Sequence, residues 1–208
     1  DDLYMTSSNI DLSVQVIVSD KSLVITEPGK TIIPGRFFID IIRKVSSKVV
    51  TLTLIEDKIL SIKADRAEYK LHVMDYIDYP NIDFVCPISI EAPVLKNVIR
   101  QTVFATSQSE KKPILTGVNL KLHENKLTAI ATDSYRLSKV IVPINGDYND
   151  FNITIPNKSL DEISKSIDTY EDCLDLYFSN NSLLFKFKNV LFQTRLLDGT
   201  YPDTSRLI

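Results

Sequence analysis

Tryptophan is absent from this chain of 208 residues, and only five glycines and two cysteines are present. The scattered glycines exclude the glycine-rich loops that cradle nucleotide phosphates in many enzymes. The two cysteines, Cys86 and Cys173, lack the close spacing of metal ligands and give no sign of an oxidising compartment. The sequence therefore predicts neither a metal site nor a cofactor.

Long apolar runs and a strong charge of one sign are also missing. No stretch approaches the ~18 apolar residues of a membrane-spanning helix, and no signal-peptide pattern opens the chain. These absences predict a cytoplasmic protein without a membrane partner. The formal net charge of −3 excludes a strongly basic domain, but it allows a basic stripe on an acidic surface.

Hydrophobic periodicity is the main signal that is present. Alternating apolar residues over 3–18 indicate half-buried strands, and from Arg36 a period of three and four predicts a helix of about ten residues. The pattern then predicts a short strand before that helix and a long series of further elements. These are a strand at 31–34, strands at 49–55, 59–64, 67–74 and 84–88, a helix at 92–104, strands at 114–123, 126–132, 137–143 and 152–155, a helix at 158–167, and three strands up to residue 197.

The second half of the chain repeats the first. Pro34 before one helix matches Pro156 before another, an offset of 122 residues, and Tyr79-Pro80 matches Tyr201-Pro202 at the same offset. Leu12 lies over Leu137 at an offset of 125 residues. A period of this length indicates duplicated domains, and strands joined by short turns form antiparallel sheet. The sequence thus predicts two α+β domains with helices on one face of each sheet.

The predicted helices carry basic residues on the faces opposite their apolar stripes. Lys96 and Arg100 lie on the 92–104 helix, Arg36 and Arg43 on the first helix, and Lys158 on the last. Each face alone is explained by solvation. Three helices at equivalent positions favour a shared basic surface that binds phosphates without sequence specificity.

The stretch Ile130–Ser138 places a polar turn between two apolar strands. Asp and Ser favour such turns, and Asp133 and Arg136 are close enough in sequence to form an ion pair across the bend. On shape alone this is a hairpin turn with a local ion pair. An enzyme that uses Thr132, Asp133 and Ser134 is the weaker interpretation, because Ser134 lacks the flanking glycines of a nucleophile elbow.

Three blocks give the sequence a resemblance to a known family. They are Lys112–Val118, Ala131–Leu137 and Leu197–Asp203. With them the chain resembles the bacterial sliding clamp, the beta subunit of DNA polymerase III. The resemblance implies a DNA-clamp fold of duplicated α+β domains, with antiparallel sheets and with helices on the inner, DNA-facing side. It implies that residues 1–84 are a first domain without its opening strand and helix, that residues 85–208 are a second domain, and that a third domain is absent.

The resemblance also implies function and partners. The expected protein is a non-catalytic processivity factor whose homodimeric ring encloses double-stranded DNA and holds the replicative polymerase and clamp-loader subunits through short linear motifs. The residues implied to face DNA are Arg36, Arg43, Lys96, Arg100, Lys112 and Lys158, and the dimer interface is implied around Tyr69 and Leu71. Asn157 stands where the family often has a basic residue, which weakens that one contact.

A peptide-binding pocket is the last feature that the resemblance implies. Its second-domain half would comprise Leu115, Thr132, Ser134, Tyr135, Arg136, Leu137, Pro202, Arg206 and Leu207. Tyr135 stands where the family usually has His, so we expect a different peptide preference. The alternative to a clamp that remains open is a duplicated, non-catalytic scaffold that binds protein partners without DNA.

Overall fold

The computed structural model describes residues 2–9, 11–74, 85–167, 173–179 and 181–204, without the side chains of residues 85–87 and 173. Several sequence predictions therefore lie outside the described residues. They are the Tyr79-Pro80 match, the two cysteine side chains, and the pocket residues Arg206 and Leu207.

Thirteen β-strands and three α-helices are present in the described part of the chain. In order they are β1 Leu3–Ser8, β2 Leu12–Val18, α1 Gly35–Lys44, β3 Thr51–Ile55, β4 Ile59–Ala64, β5 Ala67–His72, β6 Val85–Glu91, α2 Ala92–Thr102, β7 Gly117–His123, β8 Lys126–Thr132, β9 Leu137–Pro143, β10 Phe151–Pro156, α3 Asn157–Ser166, β11 Cys173–Ser179, β12 Ser182–Phe187 and β13 Val190–Arg195.

The chain forms two compact units. The smaller unit comprises the described residues of 20–81, and the larger unit comprises those of 2–19 and 82–208. The first strands of the chain thus belong, by their contacts, to the unit that contains the second half. The domain boundary that we predicted between residues 84 and 85 borders the undescribed residues 75–84 and stays a prediction.

The smaller unit packs α1 against a three-stranded antiparallel sheet with the order β3-β4-β5. Its core is small, with Phe38 from the helix packed against Leu60 and Ile62 from the central strand. The strand predicted at 31–34 is reduced to a single bridge between Ile32 and Met74. Pro34 explains the difference, because it has no N–H to donate to a ladder and directly precedes α1.

The larger unit contains two antiparallel sheets, with strand orders β1-β2-β13-β12-β11-β6 and β10-β7-β8-β9. The β1–β2 hairpin joins the first sheet through β13, where Val16 lies opposite Val190. Side chains from both sheets and from α2 and α3 share one core. Its largest fully buried members include Leu95 on α2, Leu160 on α3 and Phe185 on β12.

The sequence periodicity predicts the order of the helices and strands of this unit and most of their bounds. Along β8 the alternate residues Leu127, Ala129 and Ala131 are buried, as a period of two requires. The predicted stripe of α2 is likewise buried, including Leu95, Val98, Ile99 and Thr102. Arg100 of α2 therefore lies on the other side of the helix, where it is exposed.

One predicted strand begins later than expected. Residues Pro113–Thr116 form a 3₁₀ turn, and β7 begins only at Gly117. A Cβ added at Gly117 would lie 2.5 Å from the carbonyl oxygen of Ile155 and 2.7 Å from Leu197 Cδ1. Glycine is required at position 117 because the backbone of Ile155 and the side chain of Leu197 lie too close for any Cβ atom.

The structure confirms the repeat and refines its alignment. Phe38 and Leu160 are buried at an offset of 122 residues (160 − 38), as the matching prolines predict. The hairpins that follow are offset by 123 residues, because Leu60 and Ile62 of β4 correspond to Leu183 and Phe185 of β12, which are also buried. The chain between the buried residue of the helix and that of the following strand is one residue longer in the second copy, 23 residues (183 − 160) against 22 (60 − 38), and this accounts for the change.

The predicted match of Leu12 with Leu137 is wrong by one residue. Asn9 Oδ1 accepts hydrogen bonds from the backbone N–H groups of residues 11 and 12, at 2.9 and 2.8 Å. Asp133 Oδ1 accepts from those of Tyr135 and Arg136, both at 3.0 Å. The turns therefore correspond at an offset of 124 residues (133 − 9). The prediction was wrong because it matched the Leu-Ser pair that follows each turn.

Candidate functional site

The turn between β8 and β9 is held by hydrogen bonds from its own side chains. Thr132 Oγ1 donates to the carbonyl oxygen of Arg136 at 2.6 Å and accepts from the N–H of Ser134 at 3.1 Å. Asp133 accepts from two backbone N–H groups through Oδ1, and its Oδ2 accepts from Arg136 Nε at 3.0 Å. The ion pair predicted between Asp133 and Arg136 is confirmed.

These contacts stabilise an unfavourable backbone conformation and a charged carboxylate. Ser134 has φ of +77°, in the left-handed region that costs a residue with a side chain about 1–2 kcal/mol. The backbone N–H groups of Tyr135 and Arg136 lower the pKa of Asp133, and the charge of Arg136 adds to the effect. The turn is therefore a defined surface whose side chains project from a fixed backbone.

The hydrogen-bonding pattern alone does not mark a binding site, because Asn9 forms the same turn between β1 and β2. What distinguishes the second turn is the side chains that it presents. Tyr135 is 98% exposed, and Arg136 is also exposed beside it. A phenol and a guanidinium at the tip of a rigid turn are suited to contact a partner molecule.

The other predicted pocket residues differ in accessibility. Leu137 is half-buried at the start of β9, and Pro202 is exposed in the segment after β13. Leu115 is only 3% exposed and Thr132 only 8%. Both therefore lie beneath the residues that form the predicted pocket surface and do not form that surface themselves. The structure thus describes seven of the nine predicted pocket residues, and five of them reach solvent.

Tyr201 is a supporting residue that the sequence did not reveal. Its hydroxyl oxygen accepts a hydrogen bond from the backbone N–H of Thr132 at 3.0 Å and so ties the segment after β13 to the end of β8. Burial raises the pKa of Tyr201, and the hydrogen bond from Thr132 opposes this in part. The sequence signal was present only as the Tyr-Pro pair of the repeat.

Phe104 is a second residue that the sequence analysis missed. It follows α2, off the buried stripe of that helix, and its side chain is 59% exposed. Its ring lies under the guanidinium of Arg136, with Cζ 5.8 Å from the ring centroid. The one available signal was a large apolar residue at a position that the helical period leaves exposed.

A depression of about 480 Å³ lies on the outer face of the four-stranded sheet, beside the turn. Its floor carries lysines from three strands, Lys121, Lys126 and Lys139, and its wall is the segment 201–204. Pro202 belongs both to this lining and to the predicted pocket.

The basic residues that were predicted to face DNA in the larger unit have different surroundings. Arg100, Lys112 and Lys158 are exposed. Lys96 is half-buried, and its Nζ donates to the carbonyl oxygen of Ile167 at 3.2 Å, where it binds the C-terminal end of α3. Asn157, the departure from the family pattern, donates through Nδ2 to Thr106 Oγ1 at 2.9 Å, so its amide has a structural role.

The predicted residues of the smaller unit are also accessible. Arg36 and Arg43 are exposed on α1, and Tyr69 on β5 is 36% exposed. Leu71 on the same strand is half-buried against the small core. Within the described part of this unit, no strand pairs with the outer edge of β5.

The described residues show no group of three or more His, Cys, Asp or Glu side chains placed to hold a metal ion. They also include no helix with the length and apolar character required to cross a bilayer.

Comparison with known families assigns both halves of the chain. Residues 89–203 match the family described as DNA polymerase III beta subunit, central domain, and residues 1–83 match its N-terminal domain. The Beta sliding clamp of Bacillus subtilis (strain 168) is 40% identical, and that of Staphylococcus aureus (strain Mu50) is 38% identical. The alignments cover 100% and 99% of this chain, and 57% of each relative.

Solved structures agree with this assignment. The crystal structure of the DNA polymerase sliding clamp from Bacillus subtilis has a TM-score of 0.95 at 38% identity, covering 100% of this chain and 57% of that chain. The beta subunit from DNA polymerase of Streptococcus pyogenes has a TM-score of 0.92 at 32% identity, covering 99% of this chain and 56% of that chain. The predicted resemblance and fold class are confirmed. The chain, which spans a little over half the length of these relatives, belongs to the DNA polymerase III beta subunit family and has the sliding-clamp fold.

Proposed function

We propose that the protein is a non-catalytic processivity factor whose ring encloses duplex DNA and tethers the replicative polymerase and other partners through a peptide pocket. The observation that carries this proposal is the match of both halves of a structural duplication to consecutive domains of one clamp family. A scaffold unrelated to replication would have no reason to match both domain families in this order.

The DNA-binding part of the proposal depends on exposed basic residues in an acidic protein. Arg100, Lys112 and Lys158 in the larger unit, and Arg36 and Arg43 in the smaller one, are all exposed. Basic side chains on helices bind phosphates through charge, without reading base sequence, and this suits a protein that slides. Lys96 contributes less than we expected, because it is half-buried and bound to Ile167.

The peptide-binding part depends on the surface around the β8–β9 turn. Leu137 and Pro202 supply accessible apolar groups, and Tyr135, Arg136 and Ser134 supply polar groups on a rigid turn. Apolar anchors with a few fixed polar groups are what short linear motifs require. We infer that Arg206 and Leu207, which lie outside the described residues, complete this half of the pocket.

The ring-forming part of the proposal follows from the repeat and from the sheet edges. β13 pairs with β2, and the repeat makes β5 the equivalent of β13 and β9 the equivalent of β2. In the described residues the outer edges of β5 and β9 have no neighbouring strand. We propose that β5, with Tyr69 and Leu71, pairs with a β2-like strand of a second protomer, and that β9 pairs with a third domain of its own protomer.

The test of the proposal is topological. The full-length protein, loaded by its clamp loader onto nicked circular DNA, should be retained after a high-salt wash and released when the circle is cut once. A protein that binds by charge alone would be lost in the salt wash, and a scaffold without a DNA role would never be retained. Either outcome would refute the clamp assignment.

The pocket is tested separately with a labelled peptide that carries the clamp-binding motif. The full-length protein should bind it, and Leu137→Asp should abolish binding, because a charge would replace an apolar contact. Val24→Asp is a suitable control, since Val24 is an 84% exposed apolar residue in the smaller unit. Equal affinity of the wild-type protein and Leu137→Asp would remove the pocket assignment.

A further inference from the structure

Phe104 occupies a fixed position although its side chain is exposed. The N–H of Thr106 donates to the carbonyl oxygen of Val103 at 3.1 Å, and the Thr106 hydroxyl donates to the same oxygen at 2.8 Å. The next residue, Ala105, is fully buried. The backbone on either side of Phe104 is therefore anchored, and the ring is directed by a rigid turn.

The end of α2 and the start of β9 are also joined directly. The hydroxyl of Ser138 donates to the carbonyl oxygen of Gln101 at 2.5 Å. This contact sets the position of Phe104 relative to the β8–β9 turn, so the ring and the guanidinium of Arg136 meet in a defined arrangement.

Arg136 is held from two sides. Asp133 Oδ2 accepts from its Nε at 3.0 Å, and the Phe104 ring lies 5.8 Å from its Cζ, within the range of a cation–π interaction. In the described part of the chain, the two terminal nitrogens of Arg136 have no protein acceptor. The guanidinium therefore keeps donors for an outside molecule while its orientation is fixed.

We propose that Phe104 is a positioning residue of the peptide pocket, whose ring holds Arg136 so that its terminal nitrogens donate to an oxygen atom of the bound peptide. The inference rests on the proposed function of the turn. Asp133 lies against the same guanidinium, and its negative charge disfavours a nucleic-acid phosphate at this site more than it disfavours the neutral carbonyl oxygen of a peptide. That oxygen is either a side-chain carboxylate or a main-chain carbonyl.

The experiment is a double-mutant cycle on the full-length protein with a fluorescently labelled clamp-binding peptide. Phe104→Leu should weaken binding about two- to fivefold, the value of an exposed cation–π contact. Arg136→Met should weaken binding at least as much, and the double variant should be no weaker than Arg136→Met alone. Phe104→Tyr keeps an aromatic ring and should restore affinity.

Phe37→Leu is the matched control, since Phe37 is 60% exposed in the smaller unit. It should leave peptide affinity unchanged. Peptides in which each acidic residue is replaced by its amide distinguish the two oxygen sources. If Arg136 binds a carboxylate, Phe104→Leu should no longer weaken binding of the amide peptide. If Arg136 binds a main-chain carbonyl, Phe104→Leu should weaken it as before.

Two results would overturn the proposal alone. One is wild-type affinity in Phe104→Leu, and the other is independent effects that multiply in the double variant. Weaker duplex binding with unchanged peptide binding would instead assign the surface to nucleic acid. If the wild-type protein fails to bind the peptide at all, the proposed pocket function and this inference fail together.

A spectroscopic readout tests the positioning without any peptide. In protein labelled with ¹⁵N-arginine, the Arg136 side-chain resonances should be shifted upfield by the ring current of Phe104. The shift should disappear in Phe104→Leu and persist in Phe104→Tyr. Resonances that do not respond to Phe104→Leu would contradict the proposal.

Discussion

Tyr201 and Thr132 are 69 residues apart, yet one hydrogen bond between them sets the end of β8. Thr132 is only 8% exposed, so its backbone N–H is largely shielded from solvent and loses its acceptor if the tyrosine hydroxyl is removed. The turn that follows carries a left-handed Ser134 and needs such support. We regard this bond as the anchor of the β8–β9 turn.

Tyr201→Phe should therefore destabilise the larger unit. Leaving one buried N–H without an acceptor costs about 1–3 kcal/mol, and the change can be measured by urea denaturation. Tyr4→Phe provides the control, since Tyr4 is 57% exposed on β1 and its change should cost less than about 0.5 kcal/mol. Equal stability of Tyr201→Phe and the wild-type protein would contradict the anchoring role.

The pH dependence of the same residue has a defined sign. Because burial raises the pKa of Tyr201 above the model-compound value of 10.0, the unfolded chain releases this proton first as pH rises. The contribution of Tyr201 to the free energy of unfolding is therefore fully present below pH 10 and is lost as the pH rises above it. The wild-type protein should lose stability more steeply above pH 10 than Tyr201→Phe.

Residues of the candidate site could be predicted only where their partners are close in sequence. The Asp133–Arg136 pair spans three positions within one turn, and the sequence predicted it. The contacts of Tyr201 with Thr132 and of Phe104 with Arg136 depend on tertiary packing, and no local pattern encodes them. The buried state of Leu115 was missed for the same reason.

At the level of elements, α2 and α3 are joined by a cation at a helix end. Lys96 on α2 donates to the carbonyl oxygen of Ile167, directly after α3. A positive charge is favourable there because the C-terminal carbonyls carry partial negative charge. A variant of Lys96 would thus change helix packing as well as surface charge, and it does not isolate DNA binding.

The combined variant Arg100→Gln, Lys112→Gln and Lys158→Gln avoids this difficulty. All three residues are exposed, so folding should be unaffected, while affinity of the full-length protein for a short duplex should fall. The slope of log affinity against log salt should decrease by up to about three, one unit per lost phosphate contact. Binding titrations over a salt series measure both quantities.

Lys165→Gln is the control for this prediction. Lys165 is also exposed on α3, but its Nζ is paired with Glu162 Oε1 at 2.7 Å. Its removal should leave the salt slope nearly unchanged. An equal change in the salt slope for the control and the combined variant would contradict the prediction. It would mean that overall charge, and not contacts of these three residues with phosphates, determines DNA affinity.

Element boundaries show where periodicity succeeds and where it fails. β8 and β9 begin and end as the alternation predicts, because one face of β8 is buried and one face of β9 is half-buried. Pro113–Thr116 reads as strand but forms a 3₁₀ turn, since the close crossing at Gly117 determines where β7 can start. The match of Leu12 with Leu137 was wrong by one residue because it compared residue identities. The position of each turn is determined by the side-chain hydrogen bonds of Asn9 and Asp133.

At the scale of the whole molecule, the proposed ring depends on the outer edge of β5, which has no neighbouring strand in the described residues. Its equivalent, β13, pairs with β2 through the segment Leu12–Val16. If β5 forms the same kind of pair across a dimer interface, a charge at Tyr69 should be buried without a partner.

Tyr69→Asp should therefore shift the full-length protein from dimer to monomer, with dimer affinity reduced at least about tenfold, equivalent to about 1.4 kcal/mol. Sedimentation over a dilution series measures the effect. Tyr4→Asp changes another exposed tyrosine on an edge strand and should leave the dimer intact. A Tyr69→Asp protein that remains dimeric on dilution would place the interface elsewhere.

The pairing of β2 with β13 also has a consequence for biosynthesis. Val190 follows its partner Val16 by 174 residues (190 − 16). At roughly 5–20 residues per second, a ribosome needs on the order of ten to thirty seconds to deliver the second strand after the first. During that interval the edge of β2 that later pairs with β13 is unpaired in the nascent chain. An unpaired strand edge is prone to aggregation, so we expect chaperone protection of the new chain to matter most in this period.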